Sequence, residues 1–232
     1  MGCMRTLTAV GHRGDPYRVR ENTLASIRSA FDRGADAVEI DVRLTRDGVP
    51  VLLHDETLQR LWGHDVRLDA VTAPQLRELA GGGVPTLREA LMAAGPGRVM
   101  VDLPGATAET VRTVVGQVRE CGARDRTYYC AGPDTMLAVR AADPGAEIAL
   151  TWTTLAPPRR VLIDAVAPSW LNYRFGLVGR ELVDAVHRDG LLVSAWTPDT
   201  KRSMRALVAA GVDSITTNRV DVLTAVRAGS GR

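Results

Sequence analysis

The chain has 232 residues, a formal net charge of +2, 45% hydrophobic residues and a mean hydropathy of −0.04. So small a charge, with basic residues scattered among acids, excludes the strong polyanion-binding signature of a nucleic-acid or acidic-membrane partner, and no stretch approaches the roughly 18–20 apolar residues of a membrane span. The length is close to that of an eight-unit α/β barrel, and residues 1–232 are read as one domain.

In chain order, the start Met1-Gly2-Cys3-Met4-Arg5-Thr6 satisfies a short myristoylation pattern but runs straight into an apolar segment, so no stable membrane anchor is expected. No apolar core of adequate length follows a basic start, so no secretory signal is expected either. Short apolar runs then read as strands at residues 7–11, 37–42, 99–103, 126–130, 147–151, 165–167, 191–195 and 214–217. Between them, residues 23–33, 106–121, 134–142, 180–188 and 200–210 carry apolar residues at three- and four-residue intervals, as helices do. Gly34, Gly122, Gly190 and Gly211 close four of these helices. Alternation of strand and helix predicts βαβ units and a parallel sheet. Residues 43–84 break the pattern: 49–53 and 66–68 read as extra short strands and Gly81-Gly82-Gly83 as a loop, making a small insertion after strand two. An open doubly wound sheet is the alternative, lowered by the absence of a Gly-x-Gly-x-x-Gly turn after the first strand. Cys3, Cys121 and Cys130 cannot all pair and show no close-spaced metal pattern; reduced thiols and a cytoplasmic location are expected.

In a parallel barrel, reactive side chains gather at the C-terminal ends of the strands. His12-Arg13 follows strand one, Glu39 and Asp41 end strand two, Asp102 ends strand three, and His54-Asp55 follows the apolar run of the insertion. Glu39 and Asp41 are two apart, so they share one face of their strand and repel unless a positive charge lies between them. A hard cation such as Ca²⁺ or Mg²⁺, with Asp102 as third ligand, meets that need; ion pairing to Arg13 or Arg43 is the plainer alternative. Two histidines able to move protons, acids able to hold a cation and an arginine able to face phosphate are what hydrolysis of a phosphodiester requires. His64, inside the insertion, and His187, late in a helix beside Arg188, read as structural. Trp196, after strand seven, either lines the mouth or packs as ordinary core.

These residues, in this order, resemble the glycerophosphodiester phosphodiesterase family. The match runs through His12-Arg13-Gly14, Glu21-Asn22-Thr23, Gly34-Ala35-Asp36, Glu39-Ile40-Asp41-Val42, Thr45-Arg46-Asp47-Gly48 and His54-Asp55 with Leu58 and Arg60; late in the chain, Ala195-Trp196-Thr197 and Gly211 to Asn218 look like the family's last two strands. The resemblance implies a TIM (β/α)8 barrel with a small insertion after strand two, and metal-dependent hydrolysis of small-molecule glycerophosphodiesters to sn-glycerol 3-phosphate and an alcohol. It implies Glu39, Asp41 and Asp102 as metal ligands for Ca²⁺ or Mg²⁺, Arg13 as the phosphate contact, and His12 and His54 as acid and base, with neither job assigned to either ring. Water or the neighbouring glycerol hydroxyl, through a cyclic phosphate, is the nucleophile.

Two departures stand out. The family usually carries a glutamate on strand three and a lysine two positions on, where this chain has Asp102 and Pro104; Lys201, the sole lysine, is a poor substitute, and Arg174 is a candidate to reach in. The usual asparagine after Trp-Thr is also absent, since Trp196-Thr197 is followed by Pro198-Asp199. Two alternatives therefore accompany the main reading: a lysophospholipase D- or sphingomyelinase D-like phosphodiesterase, and a catalytically weakened barrel that binds a phosphodiester without turning it over.

Overall fold

Eight parallel strands close on themselves in the computed structural model, which describes residues 7–230; Cys3 and the myristoylation-like start lie outside the described residues. The strands are β1 (Thr8–His12), β2 (Ala37–Leu44), β3 (Pro50–Leu52), β4 (Arg98–Asp102), β5 (Thr127–Ala131), β6 (Glu147–Trp152), β7 (Trp170–Arg174), β8 (Leu192–Trp196) and β9 (Ser214–Thr217). Their order is β1-β9-β8-β7-β6-β5-β4-β2-β3, and a parallel β1–β2 pairing shuts the ring with His12 opposite Glu39. β3 alone is antiparallel, pairing with the end of β2 through Val42 and Leu52. The helices are α1 (Leu24–Asp32), α2 (Gln59–Trp62), α3 (Ala73–Leu79), α4 (Leu87–Ala93), α5 (Ala108–Glu120), α6 (Pro133–Ala142), α7 (Arg160–Val166), α8 (Arg180–Arg188), α9 (Lys201–Ala210) and α10 (Val220–Ser230). This is the expected (β/α)8 barrel. Among the described residues no helix is long and apolar enough to cross a membrane.

Alternation along each strand divides the apolar residues between two cores. On β2, Val38, Ile40 and Val42 join the main apolar cluster with the helices, while Ala37 joins Val10, Met100, Tyr128, Ala149 and Trp170 in a smaller one. The intervening Glu39 and Asp41 take the same face of β2 as Ala37. Ile40 is completely buried, and truncating such a side chain to Ala costs about 2–5 kcal/mol. Helix starts follow from side-chain chemistry: the hydroxyls of Thr23, Thr107 and Thr200 accept from backbone N–H groups of α1, α5 and α9, and Thr72 with Gln75 and Thr86 with Glu89 form capping boxes on α3 and α4.

Two strand expectations are corrected. Residues 165–167 are not a strand: Val166 ends α7 and Ala167 caps it at φ 46°. Leu162, Ile163 and Val166 recur at helical spacing and pack on the main core, and the strand lies just beyond, at Trp170–Arg174. Residues 66–68 are not a strand either; Thr57 and Arg67 form an isolated bridge, and Leu68–Ala70 is a single 3-10 turn. The excursion holds its own apolar cluster, Val51, Leu53, Leu58, Leu68, Val71, Leu76, Ala80 and Val84, whose closing delivers residue 54 to the barrel mouth.

Candidate functional site

The turn after β1 is the first element of the site. Gly14 stands at φ 87°, and a Cβ there would lie 2.5 Å from the Ser26 carbonyl carbon, so the turn packs directly on α1 and only glycine fits. Arg13 and Asn22 hold positive φ values of 55° and 54°, a conformation costing a residue such as Arg on the order of 1–3 kcal/mol unless the surroundings compensate. They do: the Arg13 N–H donates to Glu39 Oε2 at 2.9 Å, its carbonyl accepts from Asn22 N at 3.0 Å and from Ser26 Oγ at 2.8 Å. The strained turn thereby aims His12 and Arg13 over the end of β2.

Glu39, Asp41 and Asp102 converge there, each offering a carboxylate oxygen within 4.8 Å of the others. Glu39 and Asp41 are 3% and 1% exposed. Burial, then the charges of Asp41 and Asp102, raise Glu39 well above the usual carboxylate range; burial and the Asp41 charge push Asp102 up to about 7. Arg13 offsets part of this, its Nε lying 3.1 Å from Asp41 Oδ2. One guanidinium against three acids leaves the donor set short by the charge of one divalent ion, and all three donors are hard oxygens. The residues therefore fit a divalent cation. The ion-pair alternative is realised for Arg13 alone, because Arg43 turns its Nε to the His54 carbonyl at 2.8 Å.

The two histidines differ in setting. His12 Nδ1 lies 2.7 Å from Asn218 Oδ1, and the Asn218 amide donates in turn to Asp199 Oδ2 at 2.8 Å. Burial, then the neighbouring Arg13 charge, lowers the His12 pKa. His54 is more open, with Nδ1 2.7 Å from Asp55 Oδ1. Against burial, hydrogen bonds from Arg60 and His54 hold Asp55 below its ordinary range. Arg60 also meets Glu21, which pairs with Arg13 at 2.8 Å, so an ion-pair ladder runs from the excursion to the barrel turn.

A cavity of about 300 Å³ collects these groups: His12, Arg13, Glu39, His54 and Asp102 line one side, Trp196 the other, and Pro104 with Gly105 the rim. All the candidate site residues thus meet in one place except Asp41, which sits beneath the cavity against Arg13 and Asn22. Asn22 was legible only as a helix opener; its Nδ2 donates to Asp41 Oδ2 at 2.7 Å and its Oδ1 accepts from Asp41 N–H. Asn218 and Asp199 were likewise unassigned. Their signal is the family-like Asn after the last strand, and Asp199 accepts from both the backbone N–H and the amide nitrogen of Asn218. Arg174 is exposed at the end of β7 and does not line the cavity; Arg13 is its one Lys or Arg among the described residues. His64 Nε2 meets the Leu79 carbonyl, and His187 Nε2 meets Asp213 Oδ2 at 2.7 Å, both away from the site. Cys121 and Cys130 are free; Cys130, buried beside Asp102, has its thiol pushed far up by that burial.

A sequence profile of the glycerophosphoryl diester phosphodiesterase family matches residues 12–222. The chain is 29% identical to the glycerophosphodiester phosphodiesterase of Caldanaerobacter subterraneus subsp. tengcongensis over 95% of its own length and 97% of that protein's. In fold it is similar to a glycerophosphodiester phosphodiesterase from Thermotoga maritima, with a TM-score of 0.83 at 22% identity over 95% of this chain and 98% of that one. A phosphodiesterase from Oleispira antarctica in complex with the product sn-glycerol-3-phosphate superposes with a TM-score of 0.87 at 21% identity, covering 94% and 96% of the two chains.

Proposed function

Because the chain belongs to the glycerophosphoryl diester phosphodiesterase family, we propose that it hydrolyses glycerophosphodiesters to sn-glycerol 3-phosphate and an alcohol by two-histidine acid–base catalysis, acting as one barrel domain whose 43–84 excursion contributes His54. The observation that carries this reading is the convergence of His12, Arg13, Glu39, Asp102 and His54 on one cavity. A divalent cation, Ca²⁺ or Mg²⁺, held by Glu39, Asp41 and Asp102 would supply Lewis-acid stabilisation of the charge that builds on the phosphoryl oxygens.

The remaining work falls to side chains. Arg13 faces a non-bridging phosphate oxygen with the part of its guanidinium not committed to Asp41 and Glu21. His12 is the base. Asn218 has its amide nitrogen committed to Asp199, so its oxygen accepts a hydrogen bond from the protonated His12 Nδ1, which leaves Nε2 with a lone pair. Burial and Arg13 keep that ring neutral, the state a base needs to take a proton from the attacking water. His54 is the acid: Asp55 pairs with Nδ1 at 2.7 Å and orients the ring so that its other nitrogen donates a proton to the leaving alkoxide. Trp196 packs against the carbon skeleton of the substrate.

The test is release of sn-glycerol 3-phosphate from glycerophosphocholine and glycerophosphoethanolamine with Mg²⁺, Ca²⁺ or EDTA, for the wild type and His12→Ala. Cation-dependent release that the substitution abolishes is expected. No release from any diester, with bis(p-nitrophenyl) phosphate included as a generic probe, would replace this reading with a binding-only barrel.

A further inference from the structure

Half of the barrel mouth carries large apolar side chains that the fold leaves in the open. Among the described residues, Tyr17 after β1, Leu155 after β6, Val161 in the first turn of α7 and Phe175 after β7 are exposed, Leu155 at 67% and Val161 at 73%. The strands β6, β7, β8, β9 and β1 are consecutive in the sheet, and in a parallel barrel the segments that follow the strands share one face. This exposure is built in. The loop bearing Leu155 is tied to itself, with Trp152 Nε1 and Thr154 Oγ1 both donating to the Ala156 carbonyl. Phe175 opens a 3-10 turn whose Leu177, like Val178 after it, packs on the main core, so the turn is anchored on one side and bare on the other. The Arg219 guanidinium lies 5.3 Å from the centre of the Tyr17 ring and holds it at the rim.

The same segments are basic. Arg18, Arg159, Arg174 and Lys201 are exposed and have no ion-pair partner among the described residues. Helices α7 and α9 have no acid in the first turn and open instead on Arg159-Arg160 and Lys201-Arg202, at the helix end where the backbone dipole least favours a cation. Nearby acids are committed, Asp164 to Arg160, Asp199 to Asn218 and Asp221 to Arg219, with Glu181 in the first turn of α8 left unpaired. A net charge of +2 over the whole chain therefore conceals a local excess. Exposed apolar side chains grouped among basic ones mark an interaction surface. A lipid headgroup layer accepts both kinds at once, because apolar side chains enter the acyl boundary while Lys and Arg heads stay at the phosphates.

We propose that this half of the mouth, from the loop after β6 round to the turn after β1, is a docking face for an anionic lipid surface. Tyr17, Leu155, Val161 and Phe175 enter the headgroup layer, and Arg18, Arg159, Arg174 and Lys201 meet the lipid phosphates. None of these residues lines the catalytic cavity, so the face is separate from the hydrolytic machinery and the inference goes beyond the reading above. Attachment is peripheral and reversible, made by side chains alone. Docked in this way, the C-terminal ends of the strands, and the cavity with them, face the lipid.

Co-sedimentation with vesicles is the test, with EDTA present so that no divalent cation bridges the protein's acids to lipid phosphate. The wild type is expected to bind vesicles of equal parts phosphatidylglycerol and phosphatidylcholine, to come off them as salt is raised, and to bind pure phosphatidylcholine about tenfold more weakly or less. Arg159→Gln and Arg174→Gln are each expected to weaken binding to the anionic vesicles about fivefold, and Leu155→Ser with Val161→Ser about tenfold. Met92→Ser on α4 and Arg112→Gln on α5, exposed positions outside this half of the mouth, are expected to leave it unchanged. Turnover of soluble glycerophosphocholine is expected to be the same in every variant. The arginine variants decide the matter if the apolar pair disturbs the loop. No binding to anionic vesicles, binding indifferent to salt and lipid charge, or equal losses at Met92 and Arg112 overturns the proposal. So does light scattering that shows a dimer which Leu155→Ser with Val161→Ser splits while vesicles stay unbound, since the face then belongs to a second copy of the chain. Vesicle binding by a protein that turns over no diester overturns the hydrolytic reading alone, and turnover without vesicle binding overturns this proposal alone.

Discussion

One cavity has two walls of opposite character. The wall from β1, β2 and β4 concentrates His12, Arg13, Glu39, Asp41 and Asp102, where burial, then the Asp41 charge, pushes Asp102 up to about 7. The wall from β6 to β9 presents Thr151, Asn172, Trp196 and Thr216 with no ionised group. Charge on the first wall is kept in place by a supporting layer: Asn22 on Asp41, Asn218 and Asp199 on His12, Asp55 on His54, Glu21 and Arg60 bridging the turn and the excursion. The second wall needs only strand register and one amide–hydroxyl contact. The contrast teaches that reactive groups have to be held by partners outside the cavity, whereas an uncharged wall keeps its place through strand pairing alone.

The largest effects belong to the charged wall. His12→Ala and His54→Ala are each expected to lower kcat by roughly a hundredfold or more with the fold retained, measured as steady-state release of sn-glycerol 3-phosphate with circular dichroism as the folding check. Near-normal turnover in either variant removes that ring from the mechanism. Next comes the cation. In the absence of metal the three carboxylates repel one another in a buried place, so adding Ca²⁺ or Mg²⁺ is expected to raise Tm and EDTA to reverse the gain. Glu39→Gln should abolish most of that gain. Asn22→Gly, which tolerates the positive φ of that position and removes the side-chain bonds that orient Asp41, is expected to weaken calorimetric cation affinity by about tenfold, at the lower end for outer partners of metal ligands. A Tm indifferent to cation, or unchanged affinity in Glu39→Gln, would separate the acids from metal binding and make them a purely structural cluster around Arg13.

That wall was largely legible in the sequence, for a physical reason. Ionisable residues at a period of two, on an otherwise apolar strand, are conspicuous: Glu39 and Asp41 interrupt Val38, Ile40 and Val42, and a strand end is where a barrel exposes them. Their supports were harder to see. Asn22 and Asn218 are ordinary turn residues by composition, and nothing local says that one reaches a residue 19 positions away and the other a residue 206 positions away. Of the neutral wall, Trp196 alone was legible. Thr216 reads as a β-branched strand residue, and Asn172 fell outside the expected strands because the apolar run at residues 165–167 belongs to the end of α7. The misplacement has one source. Leu162, Ile163 and Val166 form a helical stripe that a short window cannot tell from a buried strand, and the true strand, Trp170–Arg174, puts a polar Asn172 inside the barrel where an apolar residue would have advertised it.

A smaller effect probes the support of His12. Asn218→Leu keeps the volume but removes the acceptor that fixes which ring nitrogen carries the proton. It is expected to lower kcat by roughly tenfold with KM nearly unchanged, because the ring remains beside the phosphate but spends time in the wrong tautomer. Asn218→Asp retains an acceptor and would keep more of the activity than the leucine variant, although its charge faces Asp199. If KM moves and kcat does not, Asn218 acts on binding and the division of labour between His12 and His54 has to be reconsidered.

The smallest change expected is at the rim that the two walls share. Pro104 and Gly105 line the catalytic cavity and also a neighbouring one of about 390 Å³ that includes Arg43, Arg46 and Arg67. Of those three, Arg67 is paired with Glu56 and Asp69, Arg46 is bonded to the Ala70 carbonyl, and Arg43 to the His54 carbonyl. None of them lines the catalytic cavity, so Arg13 is the one guanidinium among the described residues that does, and it is already shared between Asp41 and Glu21. A phosphoryl group in the cavity would therefore meet one guanidinium besides the cation proposed for the acids. Pro104→Lys places an ammonium at a position that lines the cavity together with Asp102, and kcat/KM on both glycerophosphocholine and bis(p-nitrophenyl) phosphate is expected to rise severalfold. The gain should be similar for the two diesters, since the added charge acts on the phosphoryl group that they share and not on the glycerol that only one carries. A gain confined to glycerophosphocholine would mean that the added charge acts on a part of that diester other than the phosphoryl group; no gain in either would mean that Arg13 and the cation already meet the developing charge.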